Sequence, residues 1–240
     1  MTQAELRRLW NAESDKYHAR GSTLADFPLP LDFLPRPHDT VLDAGCGGGN
    51  YMGIYRQVTT RVFGVDFSDS MTRAAARYGD VLQGDVQQLP LKDAVFDYTS
   101  SHLVINHVPN TYGALAELAR VTKKGGRLVV VVPNRLSVLA AMRVVMMQLG
   151  RYPLGPCRHY GAATLGAEGE GLGLSVVRAC AIPKVPTATR PLHKIASWIG
   201  YRLDEAVRRV YGLWGGDLAV LFEKRGAGGG EGRPCAASAA

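Results

Sequence analysis

With 240 residues, 46% of them hydrophobic, the chain can bury one sizeable core but hardly two, so a single main domain is expected. The net charge of +7 is uneven, −4 over residues 1–119 and +11 over 120–240. The basic residues are dispersed and not interleaved with aromatics, so no nucleic-acid partner is expected. No apolar run reaches the ~18 residues of a membrane span, the polar start MTQAELRRLW has no secretory h-region, and Cys46, Cys157, Cys180 and Cys235 lack the spacing of a zinc site or disulfide framework. These features predict a cytoplasmic protein without integral membrane association or a metal site.

In chain order, residues 3–20 read as an amphipathic helix carrying Trp10 and Tyr17, followed by a Pro-rich link from Phe27 to Pro37. VLDAGCGGGN, Val41 to Asn50, is a short apolar strand ending in an acid and a glycine-rich turn. RVFGVDF, Arg61 to Phe67, is a second β-rich run, and Met71 to Tyr78 is a helix with Ser68 or Ser70 as N-cap. VLQGD, Val81 to Asp85, is a third strand ending in an acid. Phe96 to Val108 reads as a fourth strand and the start of a helix, and Leu118 to Asn134 as helix, turn and fifth strand. Leu136 to Leu149 is an apolar helix with three methionines, a residue that adapts to irregular surfaces. Gly150 to Tyr160 is a Pro- and Gly-bearing loop. Leu174 to Ile182 and Asp217 to Lys224 read as the last strands, joined through a helical stretch around 196–211, and the Gly- and Ala-rich residues 226–240 are expected to be disordered.

The glycine turn admits three readings. A P-loop needs Lys and then Ser or Thr after its last glycine, and here Asn50 and Tyr51 follow, which excludes it. A dinucleotide fingerprint would place its third glycine at position 50, which is Asn, so a nicotinamide-dependent oxidoreductase is disfavoured but stays open. The third is a turn for a cationic nucleoside, for which Asp43 would supply negative charge. Asp66 lies 21 positions after Gly45, where an acid in this kind of sheet meets ribose hydroxyls.

In this third reading the chain resembles, over Thr40 to Asn134, the class I S-adenosylmethionine (SAM) dependent methyltransferases, in particular the small-molecule enzymes of the ubiquinone and menaquinone group. The resemblance implies a Rossmann-like α/β fold, with a seven-stranded, mostly parallel sheet, an antiparallel edge hairpin and helices on both faces. It implies SAM as cofactor, S-adenosylhomocysteine (SAH) as product, and a small-molecule acceptor. It assigns Gly45, Cys46 and Gly47 to the cofactor turn, Asp43 to the methionine end, Asp66 and Phe67 to ribose and adenine, Asp85 and Val86 to the adenine edge, and a carbonyl near Ser101 to the ammonium. Residues 1–39 would form an N-terminal helix and lid, with Trp10 and Tyr17 closing the pocket. Residues 40–225 would form the methyltransferase domain, with an acceptor-binding insertion at about 136–172. A non-catalytic subunit of the same fold is the alternative from another class.

In-line transfer of a methyl group needs the acceptor atom held about 3 Å from the methyl carbon and water excluded. An alcohol or carbon acid also needs a base, and histidine is the side chain nearest neutrality. His102, just past strand four, is the first candidate, and His159 in the loop the second, while His107 reads as structural. A carboxylate acceptor needs no base, and Arg158 would then matter more. Tyr160 and Met146 complete the candidate acceptor site, for an apolar and acidic molecule methylated on a hydroxyl or carboxylate oxygen, with C- or N-methylation as the runner-up.

Overall fold

The computed structural model describes residues 5, 7–12, 29–150, 157–182 and 216–226. Tyr17, the stretch 196–211 and residues 227–240 lie outside the described residues.

Seven strands form one sheet: β1 (Val41–Ala44), β2 (Val62–Asp66), β3 (Asp80–Gln83), β4 (Phe96–His102), β5 (Thr122–Pro133), β6 (Leu174–Ile182) and β7 (Asp217–Lys224), in the order β3-β2-β1-β4-β5-β7-β6. Strands β1 to β5 pair in parallel, and β7 runs antiparallel between β5 and β6. The expected fold is therefore the observed one. Every residue of β1 is buried, Asp43 included, as in a central parallel strand covered on both faces. At the edge, β3 is largely exposed, its Leu82 included.

Residues 7–12 near the start of the chain are helical, and the further helices described are α1 (Asn50–Tyr55), α2 (Asp69–Ala75), α3 (Thr111–Val121), α4 (Val138–Gln148) and α5 (Ala162–Gly171). Ser68 caps α2 by accepting a hydrogen bond from the Met71 amide at 3.3 Å, which satisfies one of the helix's first free donors. Asn110 and Ser137 do the same for α3 and α4. One apolar cluster packs α3 and α5 on the sheet through Leu115, Leu118, Leu165 and Phe222. A second gathers Met52 and Tyr55 of α1 with Phe33, Val62 and Val131.

The turn predicted before strand five takes another form. Helix α3 ends at Val121 and β5 starts at once, Thr122 pairing with Phe96 and Arg127 with Tyr98. The residues between make an irregularity in the ladder, where Gly125 has φ of 72°, a conformation costly for other residues. Lys224 closes the junction by donating to the carbonyls of Ala119 and Thr122 at 2.6 and 2.8 Å, where a cation suits the helix's carboxyl end.

Candidate active site

The turn after β1 is built from left-handed glycines, with φ of 77° at Gly45, 53° at Gly47 and 85° at Gly49. The amides of Gly45 and Cys46 both donate to the Val65 carbonyl, which ties the turn to β2. A Cβ on Gly45 would lie 2.2 Å from a Val104 methyl, whereas one on Gly47 would meet nothing within 4 Å. The first glycine thus allows close packing, and the second leaves open space beside the backbone.

Asp66, at the carboxyl end of β2, accepts from the Gly47 amide on one oxygen and from the Ser68 amide on the other, both at 2.9 Å. It therefore fixes the turn as well as facing the cavity. Burial pushes its carboxyl above the usual range, against these amide hydrogen bonds. Asp85 accepts from the amide and side chain of Gln87.

A single cavity of about 330 Å³ runs from this turn to the carboxyl ends of β4 and β5. Gly45, Cys46, Gly47, Asp66, Phe67, Asp85 and Val86 line it at one end, and His102, Asn106, Pro133 and Arg143 contribute farther along the chain. Trp10 and His107 also line it and meet edge to face at 5.4 Å, so His107 belongs to the pocket wall beneath the N-terminal helix. Arg7 lies over the Phe67 ring at 5.2 Å, and Asn11 accepts from Ser68.

Asp43 and Ser101 sit beneath the wall instead of on it. Asp43 accepts from Ser100 at 3.1 Å, and its second oxygen is buried without a hydrogen-bond partner. The Ser101 hydroxyl is likewise buried and unpartnered. Burial raises the Asp43 pKa from 3.8 to about 7. The folded chain then holds a proton that the unfolded chain releases from about pH 4 upward, so this residue's contribution to stability falls as pH rises from about 4 to about 7. The difference is at most about 4 kcal/mol. In the cofactor-free protein, Asp43→Asn is expected to raise the melting temperature at pH 8 and flatten its decline between pH 5 and 7, as thermal unfolding at several pH values would show. An unchanged slope would mean that Asp43 is ionised throughout.

His102 ends β4 with its ring stacked on Tyr51 at 3.6 Å and 10°. Its Nε2 is 2.8 Å from the Tyr55 hydroxyl, and its Nδ1 is buried without a hydrogen-bond partner. Burial pushes its pKa down to about 3, so the imidazole is neutral at physiological pH. The other acceptor-side candidates scatter. His159 is half-buried outside the cavity wall, with its pKa lowered by burial and by Arg143. Arg158 is exposed and donates to Thr111. Tyr160 packs in the core, and Met146 is 39% exposed on α4. Arg143 and Asn106, which do line the cavity, were not among the sequence candidates. Arg143 is an isolated cation in an apolar helix, a signal that could have found it.

Residues 42–130 match the family model of a methyltransferase domain. This segment is a class I SAM-dependent methyltransferase domain. Malonyl-(acyl-carrier protein) O-methyltransferase of Serratia marcescens is 40% identical over 95 residues, which are 38% of this chain and 36% of that protein. The chain spans little more than a third of the length of the curated relatives it matches. Among solved structures, an S-adenosylmethionine dependent methyltransferase from Mesorhizobium loti superposes with a TM-score of 0.62 at 15% identity, covering 83% of this chain and 98% of that one. The geranyl diphosphate C-methyltransferase of Streptomyces coelicolor A3(2), solved with Mg²⁺, geranyl diphosphate and SAH, gives 0.58 at 17% identity over 83% and 78%. These two show the same fold. The domain match decides between the readings of the glycine turn in favour of SAM. The open backbone at Gly47 and the paired oxygens of Asp66 suit that cofactor. Among the described residues no helix is long and apolar enough to cross a membrane.

Proposed function

We propose that this chain transfers a methyl group from SAM to an oxygen of a small-molecule acceptor. The observation that carries the reading is the continuity of the cavity. The glycine turn, Asp66 and Asp85 share one space with His102, Pro133 and Arg143, at the strand ends where ligands bind in open α/β sheets. The O-methyltransferase names of the curated relatives support an oxygen acceptor.

SAM, when bound, supplies an electrophilic methyl on a sulfonium. Gly45, Cys46 and Gly47 shape the turn that would hold it, Asp66 and Phe67 would meet its ribose and adenine, and Asp85 and Val86 its adenine edge. Trp10, seated on His107, shields the space from water. The lid role of residues 1–39 and the acceptor role of the first part of 136–172 belong to the same proposal; α5, in the latter part, packs on β6 and β7. His102 serves as a neutral wall, since its ionisation lies far below working pH. Most of the rate enhancement is then positioning.

Calorimetric titration with SAH is expected to show micromolar binding, and incubation with methyl-labelled SAM and a panel of acids and alcohols to show label transfer to oxygen. The pH–rate profile should carry no step from His102 between pH 5 and 8. Failure to bind SAH would sink the proposal, transfer to carbon or nitrogen in place of oxygen would favour the runner-up, and binding without any transfer would favour a non-catalytic subunit.

A further inference from the structure

Helix α4 is inverted relative to an ordinary surface helix. Its apolar residues Met142, Val145 and Met146 are exposed, while the side chain of its one charged residue, Arg143, is only 17% exposed and lines the cavity. An amphipathic helix normally turns its charges outward, and a desolvated guanidinium calls for oxygen acceptors around it. Arg143 is poorly supplied with them. Its Nη1 is buried without a hydrogen bond, and the carboxylate oxygen nearest to it among the described residues, on Asp217, is 3.8 Å away, too far for one. His159 is a poor source of a second charge, because burial and Arg143 itself lower its pKa.

Asp217 is held opposite Pro133 by the β5–β7 ladder, so Arg143 stands over the carboxyl ends of the strands, on the side of the cavity reached from β5. Among the described residues it is the only Lys or Arg on the cavity wall, where Asp66 and Asp85 contribute negative groups. A single guanidinium suits a monoanionic carboxylate, which it can grip with two parallel hydrogen bonds. A phosphate would bring a second negative charge that no other cation on this wall meets. A carboxylate is also an oxygen nucleophile that needs no deprotonation, which agrees with a wall on which His102 is too weak a base to help.

We infer that Arg143 is the anchor for the carboxylate of the acceptor, so that the acceptor class is a carboxylic acid with an apolar body. The inference rests on the methyltransferase reading above. In the transfer, a carboxylate oxygen forms the new bond to the methyl carbon as the carbon–sulfur bond breaks. The electron pair leaves with sulfur as the neutral thioether of SAH, and the acid becomes its neutral methyl ester. The loss of charge weakens the grip of Arg143 on the product.

The test is calorimetry on SAH-saturated protein with octanoate and phenylacetate as probes, each paired with the alcohol of the same skeleton. The acids are expected to bind about tenfold or more tightly than the alcohols. Arg143→Gln should erase that preference with SAH affinity unchanged, and Arg143→Lys should keep part of it. Asp217→Asn, which removes the competing carboxylate, should tighten acid binding, a gain that a merely structural role for the ion pair does not produce. Equal binding of acid and alcohol, an acid preference that survives Arg143→Gln, or SAH binding with no acid bound would each overturn the assignment. Loss of SAH binding in the wild type would instead overturn the methyltransferase reading on which it rests.

Discussion

Asp66→Ala is expected to weaken SAH binding about 10- to 100-fold, the usual value of one hydrogen bond to a charged group. Both Asp66 oxygens already accept backbone amides, from Gly47 and Ser68, and each retains lone pairs for the ribose hydroxyls. The alanine variant therefore loses the ligand's acceptor and also the strut that holds the glycine turn against β2. Asp66→Asn keeps one carbonyl oxygen and should fall between the two. Its carboxyl is already raised by burial, so the same loss should be approached in the wild type on acidification. Calorimetric SAH titration of the three proteins at pH 8, with the wild type repeated at lower pH, checks this; equal affinities would remove Asp66 from the cofactor site.

Gly45→Ala is expected to lower folding stability by about 2–5 kcal/mol. The new Cβ would lie 2.2 and 2.6 Å from the two Val104 methyls, an overlap of the kind that typically costs about 1–3 kcal/mol after relaxation. The backbone at φ of 77° adds about 1–2 kcal/mol for a residue with a side chain. Gly47→Ala separates the two effects. Its φ of 53° carries the backbone term, but its Cβ would meet no atom of the protein within 4 Å. It should therefore unfold only about 1–2 kcal/mol more easily while still weakening SAH binding, because the methyl would project into space the cofactor needs. Urea unfolding of both variants, with SAH titration, distinguishes the roles: a fully stable Gly45→Ala would show that Val104 moves aside.

Much of this organisation is local and so legible in the chain. β6 and β7 have the bounds their apolar runs predict, Leu174–Ile182 and Asp217–Lys224, since a strand needs only a run of suitable residues bounded by turn formers. Ser68 caps its helix as expected, because the cap bond spans three residues. The cofactor end is equally legible: a glycine turn and an acid at the end of the next parallel strand fall together whenever those strands are neighbours, as β1 and β2 are.

The acceptor end is different, because it depends on the rotation of α4 about its axis and on what lies behind each side chain. The apolar composition of α4 drew attention to Met146, yet packing exposes Met146 and carries Arg143 into the cavity. In the loop, Arg158 is exposed and Tyr160 is in the core. His102 is where its strand position predicts, but its neutrality follows from burial against Tyr51 and Tyr55, residues some fifty positions away. The sequence by itself determined the sheet, the glycine turn and the acids that line the cavity beside it, because those are set by short-range pattern. Only the tertiary structure decided which cation lines the cavity and in which protonation state His102 stands, because desolvation is a property of all the atoms around a group and not of its neighbours in the chain.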